Sequence, residues 1–111
     1  MTSGSPSRQI NDDVLERPKL KATTPKLYSV ALINDDYTTM EFVVTVIEKI
    51  FQKSPAEAFQ LMMQIHTAGR AICGIYSYEI AETKVHSVTE LAEAEGFPLQ
   101  ATIEDDPHVP E

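Results

Sequence analysis

The sequence predicts a two-layer α/β sandwich in which three helices cover one face of a three-stranded sheet, in the order βααβαβ. Apolar residues alternate with smaller or polar ones in two short segments, and a third short segment is almost entirely apolar. Three longer segments carry apolar residues at helical spacing. The length of 111 residues fits one domain with flanking tails. We expect a largely antiparallel sheet, and its strand order stays open.

The first strand and the first helix are separated by an acidic turn. Alternation from Leu27 onward predicts the strand, with one face formed by Tyr28, Val30 and Leu32. The Asn-Asp-Asp run at 34–36 predicts a turn, because short polar side chains bond their own backbone. Thr38 is expected to cap the helix, and Glu41 to complete a capping box. The apolar stripe of this helix is predicted as Met40, Val43, Val44, Ile47, Ile50 and Phe51.

The second helix is predicted between two clear boundaries. Ser54 and Glu57 indicate another capping box, and Pro55 occupies the first helical position. Gly69 is the predicted stop. One face of this helix is expected to carry Phe59, Met62, Met63 and His66, and an adjacent face Leu61 and Ile65.

The rest of the chain predicts two strands around a third helix. The apolar run 71–76 is expected to be a buried strand, in which Gly74 marks a close backbone approach. Ser77 is expected to begin the helix, and Gly96 to end it. The helical stripe is predicted as Ala81, Val85, Val88 and Ala92, with Leu91 beside it. The last strand is predicted from alternation at Leu99, Ala101 and Ile103.

Composition divides the chain into a core and two tails. Residues 1–26 carry five basic and three acidic side chains but few large apolar ones, whereas residues 27–111 carry four basic and fourteen acidic ones. A segment poor in apolar residues cannot bury enough surface to offset its ordering entropy. We therefore predict disorder for 1–26 and 105–111, and one folded core for 27–104.

Charge and cysteine usage exclude several classes of function. A net charge of −8 argues against binding to nucleic acid or to anionic membranes. The single cysteine, Cys73, rules out an intramolecular disulfide and a cysteine-rich metal site, and it fits a cytoplasmic protein. No apolar run in the sequence is long enough to span a bilayer, and no secretory signal is visible. Glycine-rich phosphate loops and the HExxH metal motif are also missing from the sequence.

Two sequence features together predict a binding site. The turn at 34–36 holds more negative charge than capping requires, and His66 ends an otherwise apolar helix face. Both lie at loop ends of adjacent elements, so Asn34, Asp36 and His66 are expected to converge. Their acceptor atoms suit a primary ammonium group, which has three N–H donors. The apolar neighbours expected beside them are Met40, Val43, Met62 and Ile65.

Other interpretations of these residues stay open from the sequence. Taken singly, the acidic turn is also explained by local capping, and His66 by compensation of a helix dipole. Cys73 and His66 would make a nucleophilic pair. Asp35, Asp36 and His66 would make the ligand set of a metal-dependent hydrolase. The predicted architecture is also similar to the C-terminal domain of the ribosomal stalk protein, an interaction module without a ligand pocket.

The chain carries three motifs that closely resemble one family: LINDDYTTMEFV at 32–43, LMMQIHTAGRAICGIY at 61–76 and AETKV at 81–85. That family is ClpS, the adaptor of the bacterial Clp protease, and the resemblance runs from about Leu27 to Ile103. It implies a cytoplasmic, monomeric adaptor with no catalytic residue, no cofactor and no metal. Such an adaptor binds proteins whose first residue is Leu, Phe, Tyr or Trp. It docks on the N-terminal domain of the AAA+ unfoldase ClpA and hands the substrate to ClpAP.

The resemblance also implies roles for individual residues. The α-amino group of the substrate would be held by Asn34, Asp36 and His66, with Asp35 close by. The pocket for the first side chain would comprise Leu32, Thr38, Met40, Val43, Met62, Ile65 and Leu99. The surface that faces ClpA would include Tyr76, Glu79 and Lys84.

The chain departs from the family pattern at two positions and in one segment. Thr39 stands where the family commonly has Pro, and it is expected to loosen the start of the helix. Ile65 stands where Val is common, and its extra methylene is expected to narrow the pocket. Residues 1–26 match the family only in polar character, and they are expected to serve delivery rather than binding.

Overall fold

The computed structural model describes residues 25–105. Its elements follow the predicted order: β1 (Tyr28–Ile33), α1 (Met40–Ile50), α2 (Pro55–Ala68), β2 (Arg70–Tyr76), α3 (Tyr78–Glu95) and β3 (Gln100–Asp105). The predicted fold class is confirmed, because three helices pack on a three-stranded antiparallel sheet. The predictions of disorder for 1–24 and 106–111 lie outside the described residues.

The first strand lies at the centre of the sheet. The strand order is β2-β1-β3, and β1 pairs antiparallel with both neighbours. Tyr28 lies opposite Tyr76 on one side and Asp105 on the other. The register between β1 and β2 shifts at Val30/Ala31. β3 continues to Asp105, past the predicted end of the core at residue 104.

The prediction of a fully buried second strand is wrong. β2 lies at an edge of the sheet, and only one of its faces is covered: Ala71 and Cys73 are buried, whereas Ile72 and Ile75 are exposed. The helices cover one face of the sheet, so a uniformly apolar strand still presents half of its residues outward. A side chain at Gly74 would collide with the ring of Tyr76, so the close approach at this glycine is made by a side chain and not by another backbone segment as predicted.

The buried side of α1 differs from the predicted stripe. Phe42 and Val46 are buried together with the predicted Val43 and Ile47, whereas Met40 is 45% exposed. This helix packs against both α2 and α3, so it buries two flanks rather than one. A single-stripe pattern describes a helix with one partner, and therefore misplaces residues on a helix with two.

The boundaries of α2 are confirmed. Ser54 and Glu57 form the reciprocal capping box, and Gly69 ends the helix in the left-handed conformation. The buried residues of this helix are Ala58, Met62 and Ile65. Two members of the predicted apolar face, Phe59 and Met63, are exposed instead.

The third helix follows its predicted pattern with one difference. Ala81, Val88 and Ala92 are buried, and Gly96 ends the helix in the left-handed conformation. Ser77 occupies the N-cap position, but its side chain accepts no capping hydrogen bond. Within residues 25–105, no helix is long and apolar enough to cross a membrane.

Candidate functional site

The turn after β1 lies against the C-terminal end of α2. The backbone N–H of Asn34 donates to the carbonyl oxygen of Gly69 over 2.9 Å. Gly69 has a φ of 93°, and its own N–H donates to the Ile65 carbonyl. This contact places the turn beside the last turn of α2, which carries His66. The sequence identified Gly69 only as a helix stop, because a carbonyl acceptor leaves no signal in the residue type.

The start of α1 differs from the prediction. Thr39 is the N-cap, and its side-chain oxygen accepts a hydrogen bond from the Phe42 N–H over 3.1 Å. Thr38 binds the preceding turn instead, since its hydroxyl and its N–H both donate to Asp35. The predicted Thr38–Glu41 capping box is therefore wrong. A threonine N-cap stabilises a helix by about 1 kcal/mol, so Thr39 gives this helix start a hydrogen bond that a proline side chain cannot accept.

The Asp35 carboxylate is an internal acceptor of the turn. One oxygen accepts from the N–H groups of Tyr37 and Thr38 over 2.8 and 2.7 Å, and the other accepts from the Thr38 hydroxyl over 2.6 Å. Burial favours the neutral acid and is the largest single influence. The hydrogen bonds from Thr38 and Tyr37 together outweigh it, and they lower the pKa of Asp35 below its ordinary value. Asp35 therefore stays ionised, and most of its acceptor capacity is used inside the turn.

A cavity of about 230 Å³ opens between this turn, α1 and α2. Its lining consists of Asn34, Asp35, Asp36, Thr38, Met40, Val43, Met62, Ile65 and His66. All nine belong to the predicted site, so the structure brings most of that set around one space. Asn34, Asp36 and His66 are exposed. The buried apolar members are Val43, Met62 and Ile65. The cavity thus joins an acidic, polar surface to an apolar interior.

This combination of groups suits a cation attached to an apolar side chain. A primary ammonium group finds amide, carboxylate and imidazole acceptors here, which match its three donors and its charge. Hydrogen bonds to charged groups contribute about 1.5–3 kcal/mol each. The cavity is smaller than the range of about 300–1,000 Å³ that is typical for drug-sized ligands. It therefore suits one amino-acid side chain with an adjacent ammonium group.

Two predicted pocket residues belong to the core and not to the cavity lining. Leu32 of β1 is fully buried. Leu99 is also buried, and it lines a different depression between α3 and β3. Both belong to the buried apolar cluster that also includes Val43, Met62 and Ile65 of the cavity lining.

The three predicted docking residues lie outside the cavity. The Tyr76 ring lies 6.5 Å from the Phe51 ring, measured between centroids. The Nζ of Lys84 lies 5.4 Å from the Tyr76 ring centroid and donates to the carbonyl oxygen of Ile50 over 2.6 Å. Glu79 is exposed in the first turn of α3. Lys84 therefore has a structural role at the end of α1 that the sequence did not reveal.

Two chemical alternatives lose support from this geometry. Cys73 is buried, and burial raises the pKa of its thiol to about 12. A thiol that stays protonated is not a nucleophile, and this one does not line the cavity that holds His66. Across residues 25–105, no three His, Cys, Asp or Glu side chains are arranged to hold a metal ion. Asp35, Asp36 and His66 therefore do not form a ligand set.

Comparisons with known proteins agree on one family. A family model described as ATP-dependent Clp protease adaptor protein ClpS matches residues 23–102. The ATP-dependent Clp protease adapter protein ClpS of Desulfatibacillum aliphaticivorans is 47% identical over 92 residues, which is 83% of this chain and 88% of the relative. The protein of the same name in Phenylobacterium zucineum is 44% identical over 103 residues, which is 93% of this chain and 94% of the relative. The protein of the same name in Parvibaculum lavamentivorans is 50% identical over 91 residues, which is 82% of this chain and 83% of the relative.

One similar solved structure contains a bound ligand. ClpS2 of Agrobacterium tumefaciens, bound to L-phenylalaninamide, superimposes with a TM-score of 0.72 at 42% sequence identity. The match covers 75% of this chain and 100% of that one.

Proposed function

The chain belongs to the ClpS family of ATP-dependent Clp protease adaptor proteins, and we propose that it binds substrate proteins by their first residue and delivers them to that protease. The substrates are proteins with a free α-amino group whose first residue is Leu, Phe, Tyr or Trp. The chain acts by binding alone and catalyses no reaction.

The observation that carries this proposal is the pairing of exposed acceptors with an apolar cavity. Phenylalaninamide, the ligand of the Agrobacterium relative, has an α-amino group, a benzyl side chain and an amide in place of a carboxylate. It therefore imitates the first residue of a polypeptide chain. The cavity of this chain offers groups suited to each of the first two parts.

We assign different roles to the acidic and polar residues of the turn. Asn34, Asp36 and His66 are exposed at the cavity, so their acceptor atoms are free to meet the ammonium group. Asp35 uses its oxygens within the turn and acts by holding Thr38 in place, while its charge adds to the negative potential. The first side chain of the substrate would then pack against Met40, Val43, Met62 and Ile65.

The proposed partner is a ClpA-type unfoldase, which this chain would meet as a monomer in the bacterial cytoplasm. The surface around Tyr76, Glu79 and Lys84 is separate from the cavity, so docking and substrate binding can occur together. The family match supports an adaptor of the Clp protease. It leaves the stalk-like alternative without a supporting observation.

Peptide binding tests the proposal directly. A labelled peptide that begins with Leu should bind, and the same peptide with an acetylated first residue should bind at least about a hundredfold more weakly, because acetylation removes the charge and two or more hydrogen bonds. Asp36→Asn should reproduce part of this loss, whereas Glu82→Asn, on the exposed surface of α3, should not. Equal affinity for the free and acetylated peptides, measured by fluorescence anisotropy, would contradict the proposal.

A further inference from the structure

A second groove adjoins the cavity on the outer side of α1 and α2. It has a volume of about 680 Å³, and its lining consists of Met40, Glu41, Val44, Thr45, Phe59 and Met62. Met40 and Met62 line both spaces, so these two side chains are the wall between them. The groove therefore adjoins the site proposed for the first residue of the substrate across these two side chains.

The side chains of this groove are unusually apolar for a solvated helix surface. Phe59 is 55% exposed, and Met40 is 45% exposed. Val44 beside them is only half-buried. Neighbouring exposed apolar side chains of this size commonly mark a binding surface. Met62 belongs to the buried core and Val44 packs against it, whereas Met40 and Phe59 leave about half of their surface exposed beside them.

We infer that this groove binds the side chain of the third residue of the substrate, with a preference for aromatic and other apolar residues. The inference rests on the proposed function. In an extended peptide, side chains one and three point to the same side, about 6.5 Å apart. With the first side chain in the cavity, the third side chain reaches past the shared wall of Met40 and Met62 into the groove. The second side chain points the opposite way, toward solvent.

The chemistry of the lining sets this preference. Methionine side chains are flexible and contact aromatic rings favourably, and Phe59 offers an exposed ring for a second aromatic contact. Glu41 at the edge of the groove disfavours an acidic third residue through like-charge repulsion. An open apolar groove places no tight limit on length, so the groove should select by apolarity rather than by shape.

Four labelled pentapeptides test the inference: Leu-Ser-Ser-Ser-Ser, Leu-Ser-Phe-Ser-Ser, Leu-Phe-Ser-Ser-Ser and Leu-Ser-Glu-Ser-Ser. Phe at the third position should raise affinity about tenfold over Ser, because part of its apolar surface leaves water. Phe at the second position should change affinity less than twofold, and Glu at the third position should lower it. The preference for Phe over Ser at position three should fall toward one in Phe59→Ala. It should persist in Ile80→Ala, which removes a similarly exposed side chain, 50% exposed, from α3.

The outcomes separate this inference from the proposed function. Loss of binding by the all-serine peptide would overturn the proposed function, and the inference with it. Equal binding of the Phe and Ser peptides at position three would overturn the inference alone. A Phe preference that survives Phe59→Ala, in a variant whose circular dichroism spectrum is unchanged, would also overturn it. A larger gain in affinity from Phe at position two than from Phe at position three would also overturn the inference. A dimer that forms in sedimentation experiments only when Phe59 is present would overturn it as well, because a second copy of the chain would then occupy the groove.

Discussion

Thr38 donates two hydrogen bonds to the Asp35 carboxylate, one to each oxygen, from its N–H over 2.7 Å and from its hydroxyl over 2.6 Å. Both residues line the cavity, so this pair sets the shape of the cavity at the turn. The two carboxylates of the turn therefore have different surroundings. Asp35 builds the turn, and Asp36 remains exposed, where we propose that it meets the α-amino group of the substrate.

We expect Asp35 and Thr38 to be energetically coupled. Asp35→Ala and Thr38→Val should each lower the free energy of unfolding and weaken binding of a Leu-initiated peptide. The double variant should lose less than the sum, by about 1 kcal/mol, because each single change removes the same hydrogen bond. Urea unfolding and fluorescence anisotropy measure the two effects. Thr89→Val serves as the control, since its hydroxyl bonds only within α3. Additive effects would show that the pair does not act as a unit.

Acid should open the turn before it unfolds the domain. The folded-state pKa of Asp35 is lowered, so its stabilising effect is complete above the pKa of an unfolded-chain aspartate and is lost as pH falls through the lower, folded-state value. We expect peptide binding to weaken below about pH 4 while the far-UV circular dichroism persists. Asp35→Asn should bind peptide weakly at neutral pH and lose this particular acid step. An acid profile unchanged by Asp35→Asn would assign the step to another group.

The composition of the cavity could be predicted because its residues occur in two short, dense motifs. The motifs at 32–43 and 61–76 are each recognisable, and together they contain all nine lining residues. The identity of the N-cap could not be predicted. Thr38 and Thr39 are adjacent and chemically equal, and only the hydrogen bonds that Thr38 donates to Asp35 decide which of them is free to cap the helix.

The spacing of apolar residues also does not predict which of their side chains are exposed. Met40, Phe59 and Ile72 are apolar at positions where the pattern predicts burial, yet all three are exposed. Periodicity reports which residues share a face, but a face is buried only if another element covers it. The uncovered faces of α1 and α2 form the second groove, so two of these failed burial predictions, Met40 and Phe59, coincide with the inferred subsite, whereas Ile72 lies on the edge strand β2.

Met40 is expected to exclude β-branched first residues from the cavity. It stands at the start of α1 and lines the cavity beside the acceptors. Met40→Ala should therefore let Val- and Ile-initiated peptides bind, with a gain of about 1–3 kcal/mol, the usual range for shape discrimination in an apolar pocket. Peptides with Ser at the third position isolate this effect from the second groove. Met63→Ala is the matched control, because Met63 is exposed on α2 but does not line the cavity. If the variant still rejects these peptides, Ile65 is the next residue to test.

Residues 1–26 are expected to matter for delivery and not for binding. A chain of 26 residues is at most about 86 Å long, and residues 1–24 of this segment lie outside the described residues. Removing residues 1–20 should leave peptide affinity and ClpA affinity near their original values, while degradation of a Leu-initiated substrate by ClpAP fails. A scrambled segment of the same length and composition should restore degradation, since the prediction depends on length and polarity. Full-rate delivery by the truncated protein would show that the segment has no such role.

A test of the proposed docking surface must separate docking from stability, because Lys84 also stabilises the fold. Its ammonium group neutralises the end of α1 by donating to the Ile50 carbonyl, and it lies over the Tyr76 ring. Lys84→Glu should therefore lower the free energy of unfolding by about 1–2 kcal/mol, which confounds any loss of ClpA binding. Glu79 has an exposed side chain in the first turn of α3, so Glu79→Lys changes the charge of the surface without removing a buried contact.

We expect Glu79→Lys to weaken binding to the isolated N-terminal domain of ClpA by about 1 kcal/mol or more, because it reverses one charge at the proposed interface. Its affinity for a Leu-initiated peptide should not change, and its free energy of unfolding should fall by no more than about 1 kcal/mol, because a Lys replaces the Glu in the first turn of α3. Glu90→Lys, also exposed on α3 but more than two turns further along, should leave ClpA binding intact. Surface plasmon resonance with both variants makes the comparison. Equal weakening by the two would reflect net charge alone, and it would move the docking surface away from the start of α3.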